Sequence, residues 1–464
     1  MTLLTKKQNK ILTIASYILF TVFLPAAAQE KTAEETKSAE PVVLTIDQAV
    51  EYANTNSRTL KSAQIDLEMK ERASKYAWNV FVPTVTASGT ATRSNDYIPS
   101  WSNAVYNVPA KYNNEKERWT GIGNINASLN LSLALISKIS IAHANFEAGK
   151  ITWTKTVHEN EMNVRKLFYA LLLQQENLKV QETSLENARQ RARQAETNYK
   201  NGMVPELSML QAQVTYENQR PSVDKQRQAV DQQLDTFAFM LGMPVGTKIE
   251  LTGKIEPQFI ELDANEIYRK YSTNNLDVQN IRKNLSVLKM SETALDLSSY
   301  TPALALSWNY QPILMSSGEW KSGSDLYDNG SLSITLAWTI SDMLPFSANR
   351  QNAKDVKDNI RKLEVSLDTV MQNNELTVKK SVDSLKQAKD AIESNERNIK
   401  LAQRSYDMTA IAYRNGTKEL LDLRDAETQL NQAKLGMLNE QYNYLSYLLD
   451  LEYTLNTKLT GESK

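Results

Sequence analysis

The sequence predicts a mainly α-helical chain with a transmembrane β-barrel part. Long helical hairpins would form an α-barrel or coiled coil, and four β-strands per protomer would join those of two other copies in a twelve-stranded barrel. Three observations carry this: an apolar spacing of seven residues, an internal repeat offset by 214 positions, and short segments whose apolar residues alternate with Asn, Ser and Thr.

The first residues stand apart from that pattern. Lys6, Lys7 and Lys10 precede an apolar run from Ile11 to Pro25, and Ala26-Ala27-Ala28 follows before Gln29. This is the order of a cleavable signal peptide over 1–28, with the mature chain over 29–464. The run is about 15 residues long, and no other stretch approaches the roughly 20 consecutive apolar residues that a membrane-spanning helix needs. Strands must therefore hold the mature chain in any membrane.

Composition excludes several function classes. There is no cysteine, hence no disulfide framework, no thiol chemistry and no lipidated cysteine. The 53 basic and 54 acidic residues give a net charge of −1, and without the three signal lysines the balance is 50 against 54, or −4. A nucleic-acid footprint would need a basic excess. Glycine (14) and proline (12) are scarce, which suits long helices better than many small folded units.

The repeat relates Tyr199-Lys200-Asn201-Gly202 to Tyr413-Arg414-Asn415-Gly416, with Ala212 and Ala426 ten residues beyond each glycine. Upstream, Leu171, Leu178, Leu185, Ala192 and Tyr199 map onto Leu385, Ile392, Ile399, Tyr406 and Tyr413. Steps of seven keep one seam of a helix against a partner. Helices are expected from about Ser140 to Lys200 and Ser347 to Arg414, each roughly 90 to 100 Å long. Each would turn at Asn-Gly into a second helix, Pro205 to Leu241 and Leu420 to Thr457, with Pro205 in a first turn where its missing amide proton costs nothing. Gly202 and Gly416 are the hairpin tips, where a residue tolerant of positive φ is needed. The helical part as a whole is expected over about 45–80, 139–241, 276–299 and 345–457, with an equatorial region over about 243–275 and the C-terminus.

Between the helices the period becomes two. Ile125, Ala127, Leu129, Leu131, Leu133 and Leu135 alternate with Asn126, Ser128, Asn130 and Ser132, and Leu332, Ile334, Leu336, Trp338 and Ile340 alternate with Ser331, Ser333, Thr335, Thr339 and Ser341. Weaker alternation follows Pro83, to Thr92, and Pro302, with Leu304, Leu306, Trp308 and Tyr310 on one face. Strands are thus expected over about 82–94, 119–136, 302–312 and 329–341. Each has about the length of a tilted strand crossing a hydrocarbon layer. Trp101, Trp119, Trp308, Trp320 and Trp338 lie in or beside them, as an interfacial girdle requires. An ordinary sheet with one wet face has the same alternation, but the helices here are committed to one another and leave nothing to cover its apolar side. Four strands cannot close a membrane barrel, and an open edge in lipid leaves backbone groups unsatisfied, so the chain must oligomerise. The loops Ser94 to Arg118 and Gln311 to Asn329 would then face outward.

Several stretches resemble the outer membrane efflux protein family of TolC-like outer membrane factors. Leu44-Thr45-Ile46-Asp47-Gln48-Ala49 with Asn56 looks like the family's opening, and Val82-Pro83-Thr84-Val85 like its entry to the first strand. Most specific is Tyr413-Arg414-Asn415-Gly416-Thr417-Lys418-Glu419-Leu420-Leu421-Asp422-Leu423-Arg424-Asp425-Ala426, followed by Leu430, Ala433 and Tyr442-Asn443-Tyr444-Leu445, which is similar to the family's periplasmic entrance. The resemblance implies a homotrimer in outer-membrane lipid, a helical tunnel in the periplasm, and a passive exit duct. It would work with a periplasmic adaptor (membrane fusion) protein and an inner-membrane pump of the RND or ABC type, in efflux or type I secretion. It implies that Asp422 and Asp425 ring the periplasmic constriction, and that Tyr413 and Lys418 hold it closed, Lys418 standing where the family has an arginine. Ser208 stands where the closing network has an aspartate, a departure that would weaken or rewire the latch.

Two solvated acids near a helix N-terminus are the plainer reading of Asp422 and Asp425. At i and i+3 they share a helix face, and threefold symmetry would make six carboxylates able to attract cations in a narrow throat. No metal-ligand cluster or nucleophile and base pair surrounds His143 and His158, and there is no phosphate-binding loop, so no enzyme activity, cofactor or metal is expected. The rival function is an exported periplasmic coiled-coil or adaptor-like protein without a pore.

Overall fold

A computed structural model describes residues 41–95, 118–316 and 319–459. The expected signal peptide, Trp101 and most of the expected loop from 94 to 118 lie outside the described residues. The chain separates into Met1–Pro41 and one unit, Val42–Lys464, and only the second is treated below.

That unit begins with β1 (Val42–Leu44), then α1 (Ile46–Asn56) and α2 (Arg58–Lys75). A capping box starts α1: the Thr45 amide donates to Gln48 Oε1 at 3.0 Å, and the Gln48 amide to Thr45 Oγ1 at 3.4 Å. The helical stretch expected over about 45–80 is made of two helices that meet at Ser57, with a 3-10 turn at Ala77–Phe81 after them. Strands β2 (Thr84–Arg93) and β3 (Trp119–Leu131) come next, then the hairpin of α3 (Ala134–Lys200) and α4 (Glu206–Met240). Strand β4 (Ile249–Leu251), α5 (Ala264–Tyr271) and α6 (Leu276–Tyr300) lead to β5 (Ala303–Tyr310), β6 (Ile313–Ser316), β7 (Glu319–Trp320) and β8 (Ser331–Ala337). A second hairpin, α7 (Ala348–Arg414) and α8 (Leu420–Leu455), ends the described chain.

Helices α3 and α7 each hold 67 residues, about 100 Å of rod. Their first residues, Ala134 and Ala348, and their last, Lys200 and Arg414, stand 214 positions apart, the offset read in the sequence. Among the described residues no helix is long and apolar enough to cross a membrane.

Three readings need correction. Leu133 and Leu135 continue the alternation of β3 but belong to the start of α3: the Ser132 and Leu133 carbonyls accept from the amides of Leu135 and Ile136, which begins the helical turn after Leu131. Pro205 is the extended N-cap of α4 (ψ 152°) and not a residue of its first turn. The segment from 311 to 329, read as loop, contains β6 and β7.

The helix seams are apolar toward their bases and small toward their tips. One core joins Phe168, Leu171 and Leu172 of α3 to Phe237 and Leu241 at the end of α4, to Ala49 and Val50 of α1, and to β1 and β4. Those two strands pair in parallel, Val42 opposite Ile249 and Leu44 opposite Leu251. The rings of Phe168 and Phe237 meet edge-on at 6.3 Å, and deleting a ring so buried costs roughly 3–5 kcal/mol. A second core packs Val378, Leu385 and Ile392 of α7 against Tyr444, Leu448 and Leu451 of α8, with Ile267 of α5 over them. Nearer the tips, Ala192 and Ala195 of α3 meet Ala212 of α4, so the backbones approach closely.

The larger sheet runs β7-β6-β3-β5-β8, with β2 on the free side of β3. Its register lines up one apolar face. Leu131, Leu304 and Leu336 form one row across β3, β5 and β8; Leu129, Leu306 and Ile334 the next; Ala127, Trp308 and Leu332 a third. The opposite face carries Ser128, Ser307 and Ser333, then Asn126, Asn309 and Ser331. Ser307 and Ser333 hydroxyls lie 2.7 Å apart, and Asn309 Nδ2 donates to Asn124 Oδ1 at 2.7 Å. The apolar face has nothing over it at β8, where Leu332, Ile334 and Leu336 are 73%, 69% and 71% exposed. Among the described residues the sheet does not close within one chain, since β2 pairs only with β3 and β8 only with β5.

Candidate periplasmic gate

The two hairpin tips share one backbone geometry. At the first, the Asn201, Gly202 and Met203 amides donate to the carbonyls of Thr197, Tyr199 and Asn198; at the second, those of Asn415, Gly416 and Thr417 donate to Ile411, Tyr413 and Ala412. Gly202 and Gly416 carry the turns at φ +68° and +73°. Nothing lies within 4 Å of a Cβ placed on either, so the left-handed backbone, not crowding, calls for glycine.

Beyond the second tip, Glu419 is the N-cap of α8 in extended conformation, and its amide donates to Asp422 Oδ2 at 3.2 Å. The Lys418 ammonium stands 3.4 Å from the same oxygen. Asp422 is thus half-exposed and held within its own tip. Asp425, one turn further, is exposed. The tight turn at Gly416 places both acids in the first two turns of α8, where the unpaired amides of a helix start favour negative charge.

The remaining residues of the expected closing network are spread over both tips. Tyr413 is half-buried in the last turn of α7, and Ser208 lies in the first turn of α4, its amide donating to the Pro205 carbonyl. Within one chain the structure brings Lys418 to Asp422; no hydrogen bond joins Tyr413, Lys418 and Ser208 to each other among the described residues.

A polar cluster not anticipated from the sequence lies on the buried side of α8. Glu427 is 5% exposed; its carboxylate takes Arg191 Nη2 at 2.6 Å and Asn187 Nδ2 at 2.9 Å, both from α3. The Tyr406 hydroxyl of α7 is pushed up by burial and by the Glu427 charge beside it, with Arg191 opposing. A signal was present: Glu427 falls at the spacing of Leu423 and Leu430, and Arg191 at that of Ala188 and Ala195, so charged residues interrupt two apolar stripes. No group of acidic, histidine or cysteine side chains suited to a metal occurs among the described residues.

Long paired rods with a small, two-faced open sheet define a class of protein, and comparison with known proteins names it. The family model for outer membrane efflux proteins matches residues 49–243 and 268–457, and the chain belongs to that family. The resemblance read in the sequence is therefore confirmed, and the chain is an outer-membrane protein with its helical part in the periplasm. TolC of Salmonella enteritidis is 32% identical over 81 residues, a stretch covering 18% of this chain and 16% of TolC. The outer membrane protein VceC of Vibrio cholerae is similar in fold, with a TM-score of 0.70 at 14% identity over 89% of this chain and 96% of that one. The CmeC outer membrane channel of Campylobacter jejuni gives 0.73 at 14% over 88% and 85%. At such identities these structures establish the fold.

Proposed function

We propose that the chain is the outer-membrane exit duct of a tripartite efflux or type I secretion system: a passive, non-enzymatic conduit with an iris-like periplasmic gate. One observation carries this reading. The sheet has an apolar face left open at β8, an opposite face of Asn, Ser and Thr, and edge strands, β2 and β8 among them, that pair on one side only among the described residues. Lipid tolerates the first, a water-filled lumen suits the second, and only neighbouring copies can satisfy the third. Three copies joined edge to edge, β2 of one against β8 of the next, give a closed barrel of twelve strands, with the two hairpins of each chain, one per repeat, forming the tunnel below.

In that assembly the tips gather at the periplasmic end. Asp422 and Asp425 become a ring of six carboxylates that admits cations and excludes anions, with Tyr413, Lys418 and Ser208 at the contacts that hold it shut. Energy comes from an inner-membrane pump of the RND or ABC type, through a periplasmic adaptor meeting the tips at Gly202 and Gly416. A signal peptide over residues 1–28 delivers the chain to the envelope.

Fractionation with electrical recording tests this. The mature protein should resist extraction from envelopes except by detergent and open ion-conducting pores in planar bilayers. Release with the soluble periplasmic fraction, and no conductance, would favour the pore-less coiled-coil alternative.

A further inference from the structure

Among the described residues, Glu427 is the charged side chain that the fold buries, and its ion pair with Arg191 is far more buried than the other pairs between elements, at 7% and 15% side-chain exposure. Such pairs are weak sources of stability, because removing two ions from water offsets most of their attraction; their best-attested use is to fix a register or a switch. Glu427 has both carboxylate oxygens engaged, one by the Arg191 guanidinium and one by the Asn187 amide. The pair therefore fixes both the height and the rotation of α8 against α3. It also stands within the same stretch as the acids at the tip, two residues after Asp425 and five after Asp422. With about 100° of rotation per residue, Asp425 projects roughly 160° and Asp422 roughly 140° away from Glu427. Pinning Glu427 to α3 turns the two aspartates to the opposite side of the helix.

We infer that Arg191, Glu427 and Asn187 are positioning residues of the gate: they hold α8 to α3 within each protomer so that Asp422 and Asp425 face the throat, and they set how often the entrance opens. The inference rests on the gate assigned above. It reaches further by placing a control element on the face of α8 turned away from the two aspartates, against α3 of the same chain. Tyr406, close enough to Glu427 to feel its charge, brings α7 into the same cluster, so rearrangement of either helix of the second hairpin disturbs it. Around the cluster the packing is by small residues, Ala188, Ala192 and Ala195 of α3 and Ala426 of α8. Leu423 and Leu430 of α8 are buried on either side of Glu427, and the polar cluster adds to that apolar seam a contact with one fixed geometry.

The test is single-channel recording of the full-length protein with Glu427→Gln, Arg191→Met and the double variant. Glu427→Gln keeps the shape and one oxygen able to accept from Asn187 or Arg191, so it is the milder variant should Arg191→Met fail to assemble. Each single variant should raise the open fraction about tenfold or more with cation selectivity retained, and the double should do no more than either single, as for partners in one interaction. Wild-type open fractions in an assembled Glu427→Gln channel, or effects that simply add, would overturn the inference, as would a loss of thermal stability with unchanged gating. Failure of the gate itself is read separately: if Asp422→Ala with Asp425→Ala leaves selectivity intact, the carboxylate ring is wrong, whereas altered selectivity there with unaltered opening in Glu427→Gln rejects the pin alone.

Discussion

Replacing Asp422 and Asp425 together with alanine is expected to abolish most of the channel's preference for cations and to weaken its block by multivalent cations about tenfold or more. The two acids begin α8, Asp422 tied to the Glu419 amide and Lys418, Asp425 exposed beside it. Threefold repetition would bring six such carboxylates around one axis, and charges a few ångströms apart in a water-poor throat interact at several kcal/mol per pair, not at the roughly 1 kcal/mol of bulk water. Asp425→Ala alone should have the larger single effect, because Asp422 already shares its charge with Lys418. Current–voltage curves in a salt gradient read the selectivity, and titration with a trivalent cation reads the block. Unchanged reversal potential in the double variant would return the two acids to the role of helix-start residues.

The second large effect is expected at the sheet. Ile334→Arg puts a charge on the uncovered apolar face, in the row of Leu306 and Leu129, at a cost of about 2–4 kcal/mol per chain if that face meets the middle of the hydrocarbon layer. Multiplied over the copies of an oligomer, that is enough to stop assembly in the membrane. Thr335→Arg, one residue along and on the other face, should assemble normally and change conductance. Heat-modifiable migration on gels separates the outcomes; equal assembly of both variants would mean that neither face of β8 lies in lipid.

Different parts of this architecture were legible to different degrees. The 67-residue rods could be seen because an apolar residue every seventh position, from Leu171 to Tyr199 and again from Leu385 to Tyr413, leaves no other regular structure. The tips could be seen because Asn-Gly punctuates both copies at the same offset. Pairing of Val42–Leu44 with Ile249–Leu251 could not, since three residues carry no period and the partners lie 207 positions apart in sequence. Leu133 and Leu135 misled because alternation persists by chance into a helix start, and only the hydrogen bonds from Ser132 onward distinguish the two. Strands β6 and β7 hid among Pro312, Ser316 and Lys321, residues that look like a loop until β3 supplies the partner for β6.

The site divides in the same way. Asp422 and Asp425 were visible through the motif around Gly416, which carries a family resemblance along one continuous stretch. Glu427 and Arg191 were not, because a charge inside an apolar stripe has meaning only once its counter-ion is known, and that partner comes from another hairpin 236 residues away.

The account depends on a chain whose sheet is left open by itself and sealed by copies of itself. Its most direct test is the mass of the detergent-extracted complex, measured by native mass spectrometry on the same preparation that is recorded in bilayers. Three chains in the conducting particle is the predicted result. A monomer that carries current, or a closed assembly in which β2 and β8 of neighbouring chains cannot be cross-linked through introduced cysteines, would contradict it.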